Sequence, residues 1–240
     1  MKALIFCALS FCAATAMAGS ADDTFDNGNR AFAEGDFAQA IADYQSLVDS
    51  GHYSEPIFFN LGNAYAKAGQ IGPAVLSYQR ALFIAPQDRA VKANLALAAS
   101  ATPRSTWYER AAYTLSMSSW SFFIFGGFIL IALAALLGRF TSRKKSAWTL
   151  GLGGATSVLA ATAALAIWWP VLNESVVIAP AQARLSPFAT AHAELTLGEG
   201  QTVTVKRTHG GFALITTDSG QSGWVEAKDI APIVAQPWRV

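Results

Sequence analysis

The sequence predicts a multidomain chain: tandem all-α helical hairpins, a transmembrane helical hairpin and a small all-β barrel, in that order. Three observations carry this. A 34-residue period joins Gly28 to Gly62, Gly35 to Gly69, Ala40 to Ala74 and Tyr44 to Tyr78. Two long apolar runs follow, Trp120 to Gly138 and Leu150 to Trp169. Beyond Leu172 the pattern changes from helical to alternating, with glycines between short runs. The composition agrees, since 52% hydrophobic and 14% charged residues in a chain of 240 is too apolar for an ordinary soluble protein.

Residues 1–18 read as a secretory signal peptide. Lys2 precedes an apolar core that ends in Ala16-Met17-Ala18, which places cleavage before Gly19. An uncleaved N-terminal anchor is the other reading. Both cysteines, Cys7 and Cys12, fall inside this segment behind Phe6 and Phe11, where lipoprotein processing needs a small residue. A mature chain then has no thiol, no disulfide and no cysteine-ligated metal.

The repeat region covers residues 21–103, with copies at about 21–54 and 55–88 and a capping helix at 88–100. Small residues at the repeated points let two helices of a hairpin touch, and the tyrosine four places after the alanine fills the gap to the next hairpin. The second copy is fuller: Phe58, Leu61, Gly62, Tyr65, Gly69, Ala74, Tyr78, Ala81 and Pro86. In spacing and residue type it resembles the tetratricopeptide repeat (TPR), a protein-docking module. The first copy departs at Thr24 and Asn27, where bulky apolar residues are usual. Its Gly35-Asp36 turn pairs a left-handed helix end with a capping aspartate. Asp88 starts one more helix, in which Val91, Leu95 and Leu97 should cover the open end, and Pro103 ends it. Trp107, Tyr108, Tyr113 and Met117 then lead to the membrane, either lying in its outer interface or forming a linker helix.

Spans are expected at 119–138 and 149–169, each about long enough to cross a bilayer. The loop 139–148 between them holds Arg139, Arg143, Lys144 and Lys145 and no acid, which assigns it to the cytoplasm. Trp120, Trp168 and Trp169 mark the outer interface and Trp148 the inner one. Both flanking domains then lie on the periplasmic side, in agreement with the signal peptide. Gly151, Gly154, Ala155, Ser157, Ala160, Ala161 and Ala164 give the second span a small surface, fit to pack against the first span or another membrane protein. Neither span holds a charged residue or histidine, so the hairpin reads as an anchor and not an ion path.

Residues 174–234 read as a small barrel. Short runs at Val176 and Ile178, Leu195 and Leu197, Val203 and Val205, Ala213 and Ile215, and Trp224-Val225 are separated by Pro187, Gly198, Gly200, Gly210-Gly211, Gly220 and Gly223. The order resembles bacterial SH3-like domains, with Phe212 where that family most often has tryptophan. There Gly223 would allow a tight bend and Trp224 would plug the barrel. A different small barrel is the alternative.

Signal peptide, TPR array, two spans and SH3-like domain, in that order, resemble the E component of the Bacteroides aerotolerance (Bat) family. The motifs that carry it are Asn60-Leu61-Gly62-Asn63-Ala64-Tyr65 and Gly223-Trp224-Val225. The resemblance implies a non-enzymatic scaffold of the bacterial inner (cytoplasmic) membrane. Its implied partners are von Willebrand-A-domain proteins and a MoxR-type ATPase, tied to envelope or oxidative stress. Two other functions compete: a peptidoglycan-binding anchor acting through the SH3-like domain, and a non-catalytic component of a membrane enzyme.

No catalytic residue, metal or cofactor is expected. His52, His192 and His209 fall in different modules without a partner at ligand spacing. Gly151-Leu152-Gly153-Gly154 lacks the lysine of a phosphate loop. Lys206-Arg207 reads as a solvated pair, too short for a nucleic-acid footprint. Partner binding is expected on the TPR inner face, at Phe25, Asn29, Phe32, Phe59, Asn63, Ala66 and Lys67, with an apolar helix or extended peptide as ligand. The phenylalanines could equally pack between helices. Asn29 and Asn60 match a carboxylate clamp, but Phe25, Ala90 and Asn94 replace its charged members. Asn29 and Asn63 are the more informative members, because helix packing does not need polar side chains. Phe212 and Trp224 form a second, weaker binding surface.

Overall fold

The computed structural model describes residues 21–99, 117–140, 144–168 and 172–234. The expected signal peptide, the segment holding Trp107 to Tyr113, and Trp169 lie outside them.

Five helices form the N-terminal array: α1 (residues 21–34), α2 (Phe37–Asp49), α3 (Glu55–Lys67), α4 (Ile71–Ile84) and α5 (Arg89–Ala98). Left-handed Gly35 (φ 84°) and Gly69 (φ 77°) end α1 and α3. Asp36 accepts the Gln39 N–H at 3.0 Å, and Asp88 accepts that of Val91 at 2.9 Å. The 34-residue period is visible as packing. A Cβ on Gly28 would stand 2.7 Å from the Tyr44 ring, and one on Gly62 would stand 2.6 Å from that of Tyr78. Each glycine therefore makes room for the tyrosine of its own hairpin. Ala40 and Ala74 are fully buried. At the end of the array Val91 and Leu95 are buried, whereas Leu97 points outward at 86% exposure and covers nothing.

Helices α6 (Met117–Phe140) and α7 (Lys144–Trp168) are long and apolar enough to cross a membrane, over Ser119–Arg139 and Trp148–Ile167. The expected 139–148 loop is shorter, because one helix runs to Phe140 and the next opens at Lys144. The pair touches through glycine: a Cβ on Gly154 would stand 2.7 Å from the Gly127 carbonyl oxygen. Ser157 Oγ donates to the Phe123 carbonyl at 3.1 Å. Of the small residues in α7, Gly154, Ala161 and Ala164 are buried, while Ala160 is exposed.

The C-terminal region is a seven-stranded antiparallel sheet of β1 (Glu174–Val177), β2 (Ala181–Arg184), β3 (Ala193–Leu197), β4 (Thr202–His209), β5 (Phe212–Thr217), β6 (Ser222–Glu226) and β7 (Ile230–Pro232). Its order is β3-β2-β6-β5-β4-β1-β7. The expected closed barrel is not formed: the sheet is open between β3 and β7. Leu197 of β3 and Ile230 of β7 still share one core with Val177, Val203, Ile215 and Val225, so the sheet curls without closing. At the β7 edge Pro232 has no N–H to offer, and the carbonyls of Pro232 and the following Ile233 accept from Arg80 of α4.

That bond belongs to a contact between the helical array and the sheet. Along β1, Val177 faces the sheet's own core while Val176 joins the core of the array, together with Ile233. Val75 of α4 is fully buried there. The approach is close, because a Cβ on Gly72 would meet the Ile178 backbone at 2.6 Å. Gln79 Nε2 donates to Thr202 Oγ1 at 2.8 Å, and the Gly72 N–H donates to Glu199 Oε2 at 3.4 Å.

Candidate functional site

The inner face of the array is organised by a polar unit that occurs twice. Tyr44 donates its hydroxyl to Asn29 Oδ1 at 2.8 Å, and Asn60 Nδ2 donates to the same oxygen at 2.9 Å. One period later Tyr78 donates to Asn63 Oδ1 at 2.9 Å, and Asn94 Nδ2 donates to it at 2.7 Å. Each unit ties both helices of one hairpin to the first helix of the next. Burial pushes both phenols above their ordinary pKa, with the asparagine bonds acting in the opposite direction, so they remain protonated donors.

The aromatic side chains repeat as well. Phe25 lies 5.8 Å from the Tyr44 ring, and Phe59 lies 6.3 Å from that of Tyr78. Phe32 meets Phe37 edge-on at 5.4 Å. Asn29, Phe32, Tyr44, Asn60 and Asn63 line an open cavity of about 180 Å³. That is below the usual size of a small-molecule pocket, roughly 300–1,000 Å³, but sufficient for a side chain or a turn of peptide.

Of the expected inner-face residues, Asn29, Phe32 and Asn63 come together in this cavity. Phe25 and Phe59 pack beside it, half-buried, and Lys67 is exposed at the end of α3 outside the lining. Asn29 and Asn63 hold the array together, contrary to the expectation that packing has no use for them. Their Oδ1 atoms are engaged, so it is the Nδ2 groups that can face a ligand. Sequence reasoning missed Asn94 and the tyrosine hydroxyls. The signal was present, since Asn60 and Asn94 are also 34 apart.

On the sheet, Trp224 does not plug the core. It pairs with Leu214 on the face opposite Val225, and the Arg207 guanidinium lies 5.1 Å above its ring. Gly223 serves a close approach inside the core, where a Cβ would meet that of Ala183 at 2.7 Å. Phe212 is half-buried opposite Glu226. Leu185 and Phe188 project from the β2–β3 loop, 64% and 63% exposed. Among the described residues no three His, Cys, Asp or Glu side chains converge as a metal site. His52 Nδ1 shares a 3.1 Å hydrogen bond with Ser50 Oγ, while His192 and His209 are exposed.

No protein-family model and no curated protein matches this chain.

Proposed function

We propose that the chain is a non-enzymatic scaffold, in which a TPR-type array and an SH3-like domain are held together on the periplasmic side of the bacterial inner membrane. The resemblance to the E component of the Bat family implies the membrane-anchored, non-enzymatic role, and the signal peptide and basic loop imply the side. The observation that carries the reading is the contact of α4 with the sheet. The array precedes α6 and the sheet follows α7, so the two can touch only if the intervening chain crosses the bilayer an even number of times. Two apolar helices, with Phe122, Phe125, Phe128 and Leu159 exposed, are long enough to make two such crossings, which supports the reading. The inner face then receives an apolar helix or extended segment of an envelope protein, with von Willebrand-A-domain proteins and a MoxR-type ATPase as the expected machinery.

The test is co-purification from membranes. Capture of a von Willebrand-A-domain protein should be lost in Phe32→Arg, which fills the cavity mouth from a half-exposed position, and kept in Phe188→Ser on the sheet. Capture that survives Phe32→Arg contradicts the assigned face. Retention of the purified chain on peptidoglycan, abolished by Phe188→Ser, would instead favour a cell-wall anchor.

A further inference from the structure

The β4–β5 hairpin extends back toward the end of the sheet at which the chain arrives from α7. β1 pairs antiparallel with β4, with Glu174 opposite Thr204, so residues 205–209 continue past the start of β1. They extend roughly 17 Å beyond it, at about 3.3 Å per residue. Glu174 is six residues beyond Trp168, the last residue of α7, and so lies within roughly 20 Å of it. The array bonds to β4 at Thr202, the opposite end of that strand.

The hairpin is also basic by construction. Alternation from buried Val205 would expose Lys206 and turn Arg207 into the core. A bulge between Val205 and Arg207 breaks the alternation, and both cations are exposed, together with Thr208, His209, Gly210 and Gly211. No acidic residue occurs between Glu199 and Asp218. The carboxylate brought closest by pairing is Glu174, opposite Thr204 at the base of the hairpin, while Glu226, opposite Phe212, is ion-paired with Lys228 at 2.7 Å.

We propose that the β4–β5 hairpin rests on anionic phospholipid headgroups of the bilayer crossed by α6 and α7, with Lys206 and Arg207 as its contacts. The inference rests on the membrane-anchored reading above. Direct headgroup contact would fix the tilt of the whole docked body, and hence the direction in which the array's inner face looks.

The full chain, with Cys7 and Cys12 replaced by serine, is placed in nanodiscs carrying a trace of nickel-chelating lipid. A nitroxide is attached at Thr208→Cys on the hairpin or at Ser219→Cys on the β5–β6 turn. In phosphatidylglycerol-containing discs, relaxation of the Thr208 label by headgroup nickel should exceed that of the Ser219 label several-fold. The excess should vanish in pure phosphatidylcholine and in the K206E/R207E variant. Equal relaxation at the two positions, or an excess indifferent to lipid charge and to charge reversal, overturns the headgroup contact while leaving the anchor intact. A chain that does not enter nanodiscs overturns both.

Discussion

Helices α2 and α4 occupy equivalent places in the 34-residue period and have different surroundings. Toward the array they match: Ala40 and Ala74 are buried, and Tyr44 and Tyr78 make the same bonds. Away from it they diverge. Asp36 caps α2 with its own side chain, whereas Gln70 makes no such bond at the start of α4 and the carboxylate nearest the N–H groups there is Glu199 of the sheet. Ala38 is exposed where Gly72 is buried, and Ile41 is half-buried where Val75 is fully buried. Gln45 and Ser46 bond within α2, to Asp49 and the Asp43 carbonyl, whereas Gln79 and Arg80 bond the sheet. The period therefore encodes how hairpins stack, and the departures from it encode what the stack holds.

Substitutions can break either half of this comparison. Ala40→Trp and Ala74→Trp should each destabilise the array by overpacking, at about 1–3 kcal/mol or more and to a similar degree, read as the melting transition of the helices. A cost confined to one repeat would contradict their equivalence. Asn29→Ala and Asn63→Ala should also act as a matched pair, because each leaves the hydroxyl of a buried tyrosine and a neighbouring amide without an acceptor, at about 1–3 kcal/mol.

The outer-face substitutions should separate the repeats. Gly72→Val pushes into the Ile178 backbone and should expose the boundary between array and sheet to limited proteolysis, while Ala38→Val leaves the digestion pattern unchanged. Glu199→Gln should weaken the start of α4 by about 0.5–2 kcal/mol, the scale of an N-cap, and Gln70→Asp should restore it. The smallest effect is pH-dependent. Both phenols hold their protons above the pH at which the unfolded chain releases them, so the array should lose stability as pH rises beyond about 10. Tyr44→Phe combined with Tyr78→Phe should flatten that fall in the alkaline melting curve.

The array was legible in the sequence because its packing repeats: Gly28 with Tyr44 and Gly62 with Tyr78 can be read from spacing alone. The two apolar helices were legible from composition and length. The sheet was legible as alternating strands, but not as open: the contact that occupies its β7 edge, Arg80 with Pro232, joins residues 152 apart. Trp224 was misplaced because its neighbours Gly223 and Val225 are buried too, and a run of three buried residues hides which face each occupies. The contact of α4 with the sheet left no periodic trace. Its residues occur once each, and only subtracting repeat one from repeat two brings them out.

The claim most open to direct test is that α4, and not its equivalent α2, carries the sheet. Val75 Cβ lies 3.6 Å from the position a Cβ would take on Gly200, within the range a disulfide bridges. In the full chain with Cys7 and Cys12 replaced by serine, Val75→Cys with Gly200→Cys should cross-link under mild oxidation. Ile41→Cys with Gly200→Cys carries the same strain at Gly200 (φ 76°) and should remain reduced. Protease cut between array and sheet should then leave the two pieces joined only in the first pair. Efficient cross-linking of both pairs, or of neither, would contradict the account.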